Sequence, residues 1–513
     1  MIVTRIAPSP TSSFSHIGNC RTLLYNYFLA KQSGGKFLIR IEDTDRDRYT
    51  PDFLDYFKRM CDWLGIVPDA SYWNPDPSVG SFIQSERDYS AKIKFLLDNG
   101  YAYHAFDSKD DLDTAHKSIP NFKYDSTTRM SMVNSFTLSK DDVDARIARG
   151  DKYVIRFAVP SNIDVNFTDV ILGDITINTN QIDDKVLLKS DGIVSYHLAN
   201  TSDDHDMGVT HVLRGQEWVA STPFHVLLYK AFGWDVPTFA SLPLILNPDG
   251  KGKLSKRTAA KYGIPIAPLG YNDPTTGVWV DGWKEAGFDA DVFINTLSLI
   301  GWSPVGENEI FSMDDMISQF SLDRVHKSGA RFSMDKAKHF NSHYIQNKRT
   351  DDYLMGFCDF GTDFVYDDVA KAKIVDMAKK RSTFNGDLQA IVNIFSKPVV
   401  VDTFKPNPDY IKVFSLFITM SNDIVWTPDN IKQLISDICT DMGVKMGKIM
   451  PDLRLALTGG VPGPDLMSTM DILGRDTSVS RISLLLPVPI GVYNKIIGTI
   501  KQLNSKRKMI VLL

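Results

Sequence analysis

Hydrophobic positions in the first part of the chain come as short continuous runs separated by stretches of helical spacing. Ile2 to Ala7 is apolar, Pro8-Ser9-Pro10 is a turn, and Leu23, Leu24, Tyr27, Phe28 and Lys31 follow a helical pattern. That order is strand, loop, helix, and its repetition predicts a doubly wound parallel sheet. Residues 89–190 break the rhythm with polar segments and short β-like runs such as Tyr153 to Val159. They read as an insertion between two halves of one fold. The sheet pattern resumes near Tyr196, includes a strand over Val209 to Leu213, and lasts to about Leu246. Beyond it the chain turns helical. Phe293, Leu297 and Ile300 recur at i, i+4 and i+7, with Gly301 placed to end that helix. Thr427-Pro428 is a cap and first helical residue, leading into Ile431, Leu434, Ile435 and Ile438.

Composition adds bounds. A chain of 513 residues holds several domains, because single cores rarely grow past about 250–300 residues. Hydrophobic content of 43% and charged content of 23% are those of a soluble globular protein. A net charge of −5 speaks against a simple basic nucleic-acid module, though a large enzyme can gather its cations on one face. Cys20, Cys61, Cys358 and Cys439 are far apart, so neither a zinc knuckle nor a disulfide framework is indicated. The N-terminus runs directly into the first strand without a leader pattern, and no run reaches the apolar length of a membrane helix. A cytoplasmic location is expected.

Two stretches carry the chemistry. Ser15-His16-Ile17-Gly18-Asn19 opens the first helix, and Lys253-Leu254-Ser255-Lys256-Arg257 follows the turn-rich loop Asn247 to Gly252. A helix N-terminus offers unpaired N–H groups and a positive dipole end to a triphosphate. Gly18 admits close approach of a nucleotide, His16 donates to phosphate oxygens, and Lys253 and Lys256 meet charge on departing pyrophosphate. Each feature also has a plainer reading. His16 is equally a cap, the lysine loop a solvated turn, and Arg40-Ile41-Glu42-Asp43 a strand end with a salt bridge. Tyr196 and Trp218 are equally core aromatics. Asp203, Asp204, His205 and His211 lack a recognised ligand spacing, so no metal site is expected there. Lys327-Ser328-Gly329-Ala330-Arg331, with Lys336 and Lys338, is either a solvated basic face or a patch that contacts phosphates.

Taken in order, Arg5 to Thr11, His16-Ile17-Gly18, Phe37 to Arg46, Ser195 to Asn200, Val212 to Trp218 and Lys253 to Arg257 resemble a class I aminoacyl-tRNA synthetase of the bacterial glutamyl type. The resemblance covers roughly the first 480 residues. It implies a Rossmann-like α/β fold with a connective insertion and an all-helical C-terminal region that binds the anticodon. Residues 1–88 and 191–246 would be the two halves of the catalytic fold, and 89–190 the insertion holding the tRNA acceptor end. Residues 247–335 would carry the lysine loop and a stem-contact region, and 336–486 the anticodon-binding helices. By resemblance, His16, Lys253 and Lys256 are catalytic, and they bind ATP with Gly18, Asn19, Glu217 and Trp218. Arg5, Ser9, Glu42, Tyr196, Asn200 and Arg214 form the glutamate pocket, with Glu42 on the α-ammonium and the arginines on the carboxylates. Lys327 and Arg331 would contact tRNA. Partners are then tRNA, glutamate and ATP with substrate-bound Mg²⁺, in a monomer without DNA or membrane contacts. Some relatives carry zinc in the insertion; residues 101–126 contain no cysteine, so none is expected.

The chain departs from the family pattern in three places. Pro10-Thr11-Ser12 replaces Pro-Thr-Gly, one extra residue precedes His16, and Asn19 replaces the second histidine of the general signature. Residues 487–513 have no family counterpart: Val492, Ile496, Ile497, Ile500 and Leu503 form an amphipathic pattern ending in Lys506-Arg507-Lys508 and an apolar tip. The alternatives are a glutaminyl or non-discriminating synthetase, and a catalytically silent paralogue that binds tRNA or a partner.

Overall fold

The computed structural model describes residues 1–361, 366–396 and 408–486, and divides into a unit of Met1–Ala337 and a second beginning at Lys338. The tail 487–513 lies outside the described residues.

In the first unit, Val3–Ile6, Lys36–Ile39 and Ala70–Ser71 pair in parallel, with Arg5 opposite Leu38 and Leu38 opposite Ala70. A second parallel pair, His211–Gly215 with Thr238–Leu242, sets Arg214 opposite Ser241. The two groups meet where Thr210 N–H donates to Val3 O at 3.0 Å and Val3 N–H donates to Thr210 Oγ1 at 2.9 Å. Asn26, buried on the helix Ile17–Gln32, seals this seam. Its backbone carbonyl accepts from Thr4 Oγ1 and its Nδ2 donates to Leu213 O. Ligands gather at such a seam in open α/β sheets, outside the carboxyl ends of the strands.

The interrupting segment is not a single appendage. Ala102–Ala105, Val154–Phe157 and Val186–Leu188 form their own antiparallel sheet. The hairpin Asp164–Asp169 and Gly173–Asn178 instead extends the catalytic sheet, with Asp169 opposite Phe239. Phe167 packs edge-on against Phe239, which gives this hairpin its apolar anchor.

The helix expected from Phe293 to Gly301 spans Ala290–Ser298. Its end and the residues just beyond it are tied to side chains of the first helix. Tyr25 OH donates to Ser298 O at 3.0 Å, while Arg21 Nη1 and Tyr25 OH donate to Ile300 O, each at 3.1 Å.

From Lys338 onward the described regular elements are helices, around a core that includes Val375, Leu388, Phe417, Leu453 and Met470. Thr427 caps the helix Pro428–Asp441, and Ile431, Leu434, Ile435 and Ile438 are all buried on it. The fold is thus a Rossmann-like α/β unit followed by a helical C-terminal region. No described helix is long and apolar enough to cross a membrane.

Candidate active site

A cavity of about 340 Å³ opens at the seam between the two parallel groups. Arg5 and Arg214 enter it from the two facing strands, His16, Gly18 and Asn19 from the first helix. Glu42, Tyr196, Asn200, Glu217, Trp218 and Lys253 complete the expected residues that line it. Ser9 and Lys256 do not line it, and neither do Lys327 and Arg331.

His16 is both cap and lining. Its Nδ1 accepts from Gly18 N–H at 3.0 Å, so the proton of the neutral ring sits on Nε2. Burial, then the neighbouring Lys253, push its pKa down to about 4. The first-turn amides are not free for an anion, contrary to expectation. Ile17 N–H donates to Ile266 O, Gly18 N–H to the His16 ring, and Asn19 N–H to His16 O. What this end of the helix still offers an anion is its dipole together with His16 Nε2–H.

Arg5 is held bidentately by Asp204, Nε to Oδ1 and Nη2 to Oδ2, both at 3.0 Å. Arg40, fully buried, reaches Asp204 at 2.8 Å, Glu42 at 3.1 Å and Asp203 at 3.7 Å. Burial works against the Asp204 charge, yet Arg5 and Arg40 hold its carboxyl below the usual range. Asn200 Nδ2 donates to Glu42 Oε1 at 2.6 Å, the oxygen that Arg40 also holds. Asp203 accepts from Gln84 and pairs with Arg87 at 2.7 Å. This acidic cluster is internal support. His205 instead stacks on Trp234, and the described residues contain no grouping suited to a metal ion.

Tyr196 opens the helix Tyr196–Asp206, and its ring lies 4.6 Å from the Trp218 ring. Burial, then Glu42, push its phenol up to about 12, so it remains a neutral donor. Glu217 pairs with Lys253 at 2.9 Å. A Cβ on Gly215 would lie 2.2 Å from Glu217 Oε2, so the Glu217 side chain folds back over the Gly215 backbone. The lysine loop is stitched internally: Asn247 N–H donates to Gly252 O and Asn247 Nδ2 to Lys251 O. Lys256 begins the short helix Lys256–Lys261, and its ammonium sits on Asp273 at 2.6 Å. Phe14, in the altered loop, stacks at 4.1 Å on Tyr271, and Lys256 lies over both rings. Ser12 closes that loop by donating to Phe14 O at 2.6 Å. Ser9 is exposed, as are Lys327 and Arg331. A Cβ on Gly250, in the lysine loop, would meet the Arg331 guanidinium at 2.5 Å.

Histidine protonation sets an acid limit on stability. His16 and His197 both have pKa values near 4, and His225 lies well below 6.5, in each case first through burial. Unfolded histidine titrates near 6.5, so below that pH the unfolded chain binds more protons than the folded one. Stability from these groups is fully present above about 6.5 and falls as pH drops toward 4. The thermal midpoint is therefore expected to be lower at about pH 5.5 than at about pH 7.5. An equal or higher midpoint would contradict neutral buried rings.

Residues 1–339 match the family model for the catalytic domain of class I tRNA synthetases (E and Q), and residues 346–486 match an anticodon binding domain. The chain belongs to the class I tRNA synthetases of the E and Q type. A glutamate–tRNA ligase from Amoebophilus asiaticus is 39% identical over 510 residues, covering 96% of this chain and 99% of the relative. One from Phocaeicola vulgatus is 40% identical over 495 residues, covering 93% and 97%. The crystal structure of a glutamate tRNA ligase from Elizabethkingia meningosepticum, in complex with its amino acid, superposes with a TM-score of 0.88. It shares 39% identity, over 94% of this chain and 99% of that one. Within this synthetase, Asp204 and His225 are the support residues that sequence reasoning missed, whereas the salt bridge read at Arg40-Ile41-Glu42-Asp43 is the Arg40–Glu42 pair. One signal was available: Tyr196, Asn200 and Asp204 stand at i, i+4 and i+8 on one helix face.

Proposed function

We propose that this chain activates glutamate with ATP and transfers it to tRNA. The glutamate α-carboxylate attacks the α-phosphate, forming glutamyl-adenylate and releasing pyrophosphate. A hydroxyl of the terminal ribose of tRNA then attacks the adenylate carbonyl, forming the ester and releasing AMP. Little proton transfer is needed in the first step, so alignment and charge stabilisation supply the catalysis.

The observation that carries this reading is the layout of the cavity. His16 and Lys253 stand on the side of the first helix and lysine loop, Arg5 and Arg214 at the strand ends, and Glu42 lines the same space. An amino acid with two carboxylates and one ammonium matches two arginines and a glutamate. Arg40 and Asn200 occupy Glu42 Oε1, so Oε2 accepts from the α-ammonium. Trp218, packed on Tyr196 and partly exposed, flanks the nucleotide. Mg²⁺ accompanies ATP, held chiefly by its phosphates, with Glu217 the nearby carboxylate in the lining. Exposed Lys327 and Arg331 contact the tRNA backbone. A cytoplasmic setting agrees with four cysteines that are all free.

ATP–pyrophosphate exchange on the full chain tests the reading, with glutamate or glutamine, with and without tRNA. Exchange is expected with glutamate and tRNA. Exchange with glutamine would shift the reading to the sister specificity, and none from a folded chain that retains tRNA would favour a silent paralogue. Arg214→Ala is expected to raise the glutamate KM by roughly ten- to a hundredfold, the worth of a hydrogen bond to a charged group. An unchanged KM would remove Arg214 from the glutamate pocket.

A further inference from the structure

Behind Arg214 lies a chain of two histidines, His225 buried and His197 half-buried, that the reaction itself does not use. Arg214 Nη1 donates to His225 Nδ1 at 3.1 Å, and Nη2 donates to Thr222 Oγ1 at 2.8 Å. On its far side, His225 Nε2 lies 3.0 Å from His197 Nδ1. His225 is 2% exposed and comes from the helix Thr222–Phe232, which also supplies Thr222.

These contacts admit one proton arrangement. Arginine has no acceptor and keeps its proton, so His225 Nδ1 must accept. A neutral His225 then carries its proton on Nε2, facing His197 Nδ1, which leaves the His197 proton on its own Nε2. Burial and the adjacent Arg214 hold His225 well below 6.5, consistent with this neutral state. The two pocket arginines are thus anchored by opposite chemistry. Arg5 is bound to the Asp204 carboxylate, which it shares with Arg40. Arg214 is bound to an imidazole and to the hydroxyls of Thr222 and Tyr196, all neutral, and among the described residues no carboxylate pairs with it directly.

We propose that His225, seated by His197, is a positioning residue that aims the Arg214 guanidinium, which pairs directly with no described carboxylate, at the glutamate side-chain carboxylate and so sets the preference for glutamate over glutamine. This rests on the assignment of Arg214 to the glutamate pocket. An amide in place of the carboxylate would leave that charge unpaired, the kind of mismatch that rejects analogues strongly.

The test is pyrophosphate exchange on the full chain with ATP and tRNA, comparing His225→Leu, His225→Asn, His197→Leu and Arg214→Ala. His225→Leu removes the acceptor and is expected to raise the glutamate KM about tenfold, with ATP KM unchanged and a higher glutamine-to-glutamate ratio of kcat/KM. The amide oxygen introduced by His225→Asn can stand where Nδ1 stood, so that variant should stay within about threefold of the parent. His197→Leu reads the same chain one link back, with about a threefold rise, and serves if His225→Leu does not fold. An unchanged glutamate KM in His225→Leu, beside a raised one in Arg214→Ala, overturns this proposal alone. Equal rises in the ATP and glutamate KM of both His225 variants overturn it in favour of simple packing. An unchanged KM in Arg214→Ala overturns the pocket assignment and this proposal with it.

Discussion

Glutamate activation is expected to slow by about a hundredfold or more when Lys256 is replaced by alanine, since one preorganised donor to developing charge is worth about 2.7–4 kcal/mol. The structure gives this lysine a resting place outside the cavity, on Asp273 and over the rings of Phe14 and Tyr271. Asp273 raises its pKa, so the ammonium is fully charged and ready to pair with phosphate. Lys256 also begins a helix, where a cation meets the positive end of the dipole, a position that disfavours it. Its ammonium is largely in water, and exposed pairs of this kind are weak. A triphosphate with several negative charges can therefore draw it from Asp273. Asp273→Asn should accordingly change the exchange rate by less than about fivefold, because only a weak competitor is removed. A loss under about threefold in Lys256→Ala would leave Lys253, already at the cavity, as the lysine that meets pyrophosphate.

Much of this architecture was legible because it is written locally. The apolar run at Ile2 gives Val3–Ile6, and the spacing from Ile431 to Ile438 gives one buried helix face capped by Thr427. Most of the pocket was legible for a different reason: its residues sit within motifs whose order identifies a family. What stayed hidden depends on partners far along the chain. Arg21 and Tyr25 take carbonyls at and just beyond the end of the helix near Phe293, and no feature of that helix's own sequence announces those ties. The free helix amides expected beside Gly18 are lost to a side chain two residues away and to Ile266, in the segment after the lysine loop. The extra residue before His16 stood as a departure from the family pattern. Its fold shows a hydroxyl-closed turn that sets Phe14 against Tyr271. Asp203 and Asp204 read from sequence only as residues without a metal-ligand spacing; both are buried as counter-ions to arginines.

Asp204→Ala is expected to destabilise the first unit by about 3–5 kcal/mol, the usual consequence of removing one partner from a buried ion pair. Asp204 is 1% exposed and is bound by two guanidinium groups that are themselves 4% and 0% exposed. Without it, Arg40 keeps Glu42 and the more distant Asp203, but Arg5 loses the carboxylate that holds it bidentately. A double variant separates stability from recognition. Arg5→Met with Asp204→Leu removes both charges together, and such apolar replacements are often neutral or stabilising. It should recover most of the urea midpoint lost in Asp204→Ala while still failing to bind glutamate at ordinary concentrations. If it recovers both, Arg5 is a structural residue and Arg214 alone reads the carboxylates. If Asp204→Ala unfolds at the parent's midpoint, the buried network contributes little to the fold, and the alignment of Arg5 must come from the strand Val3–Ile6 alone.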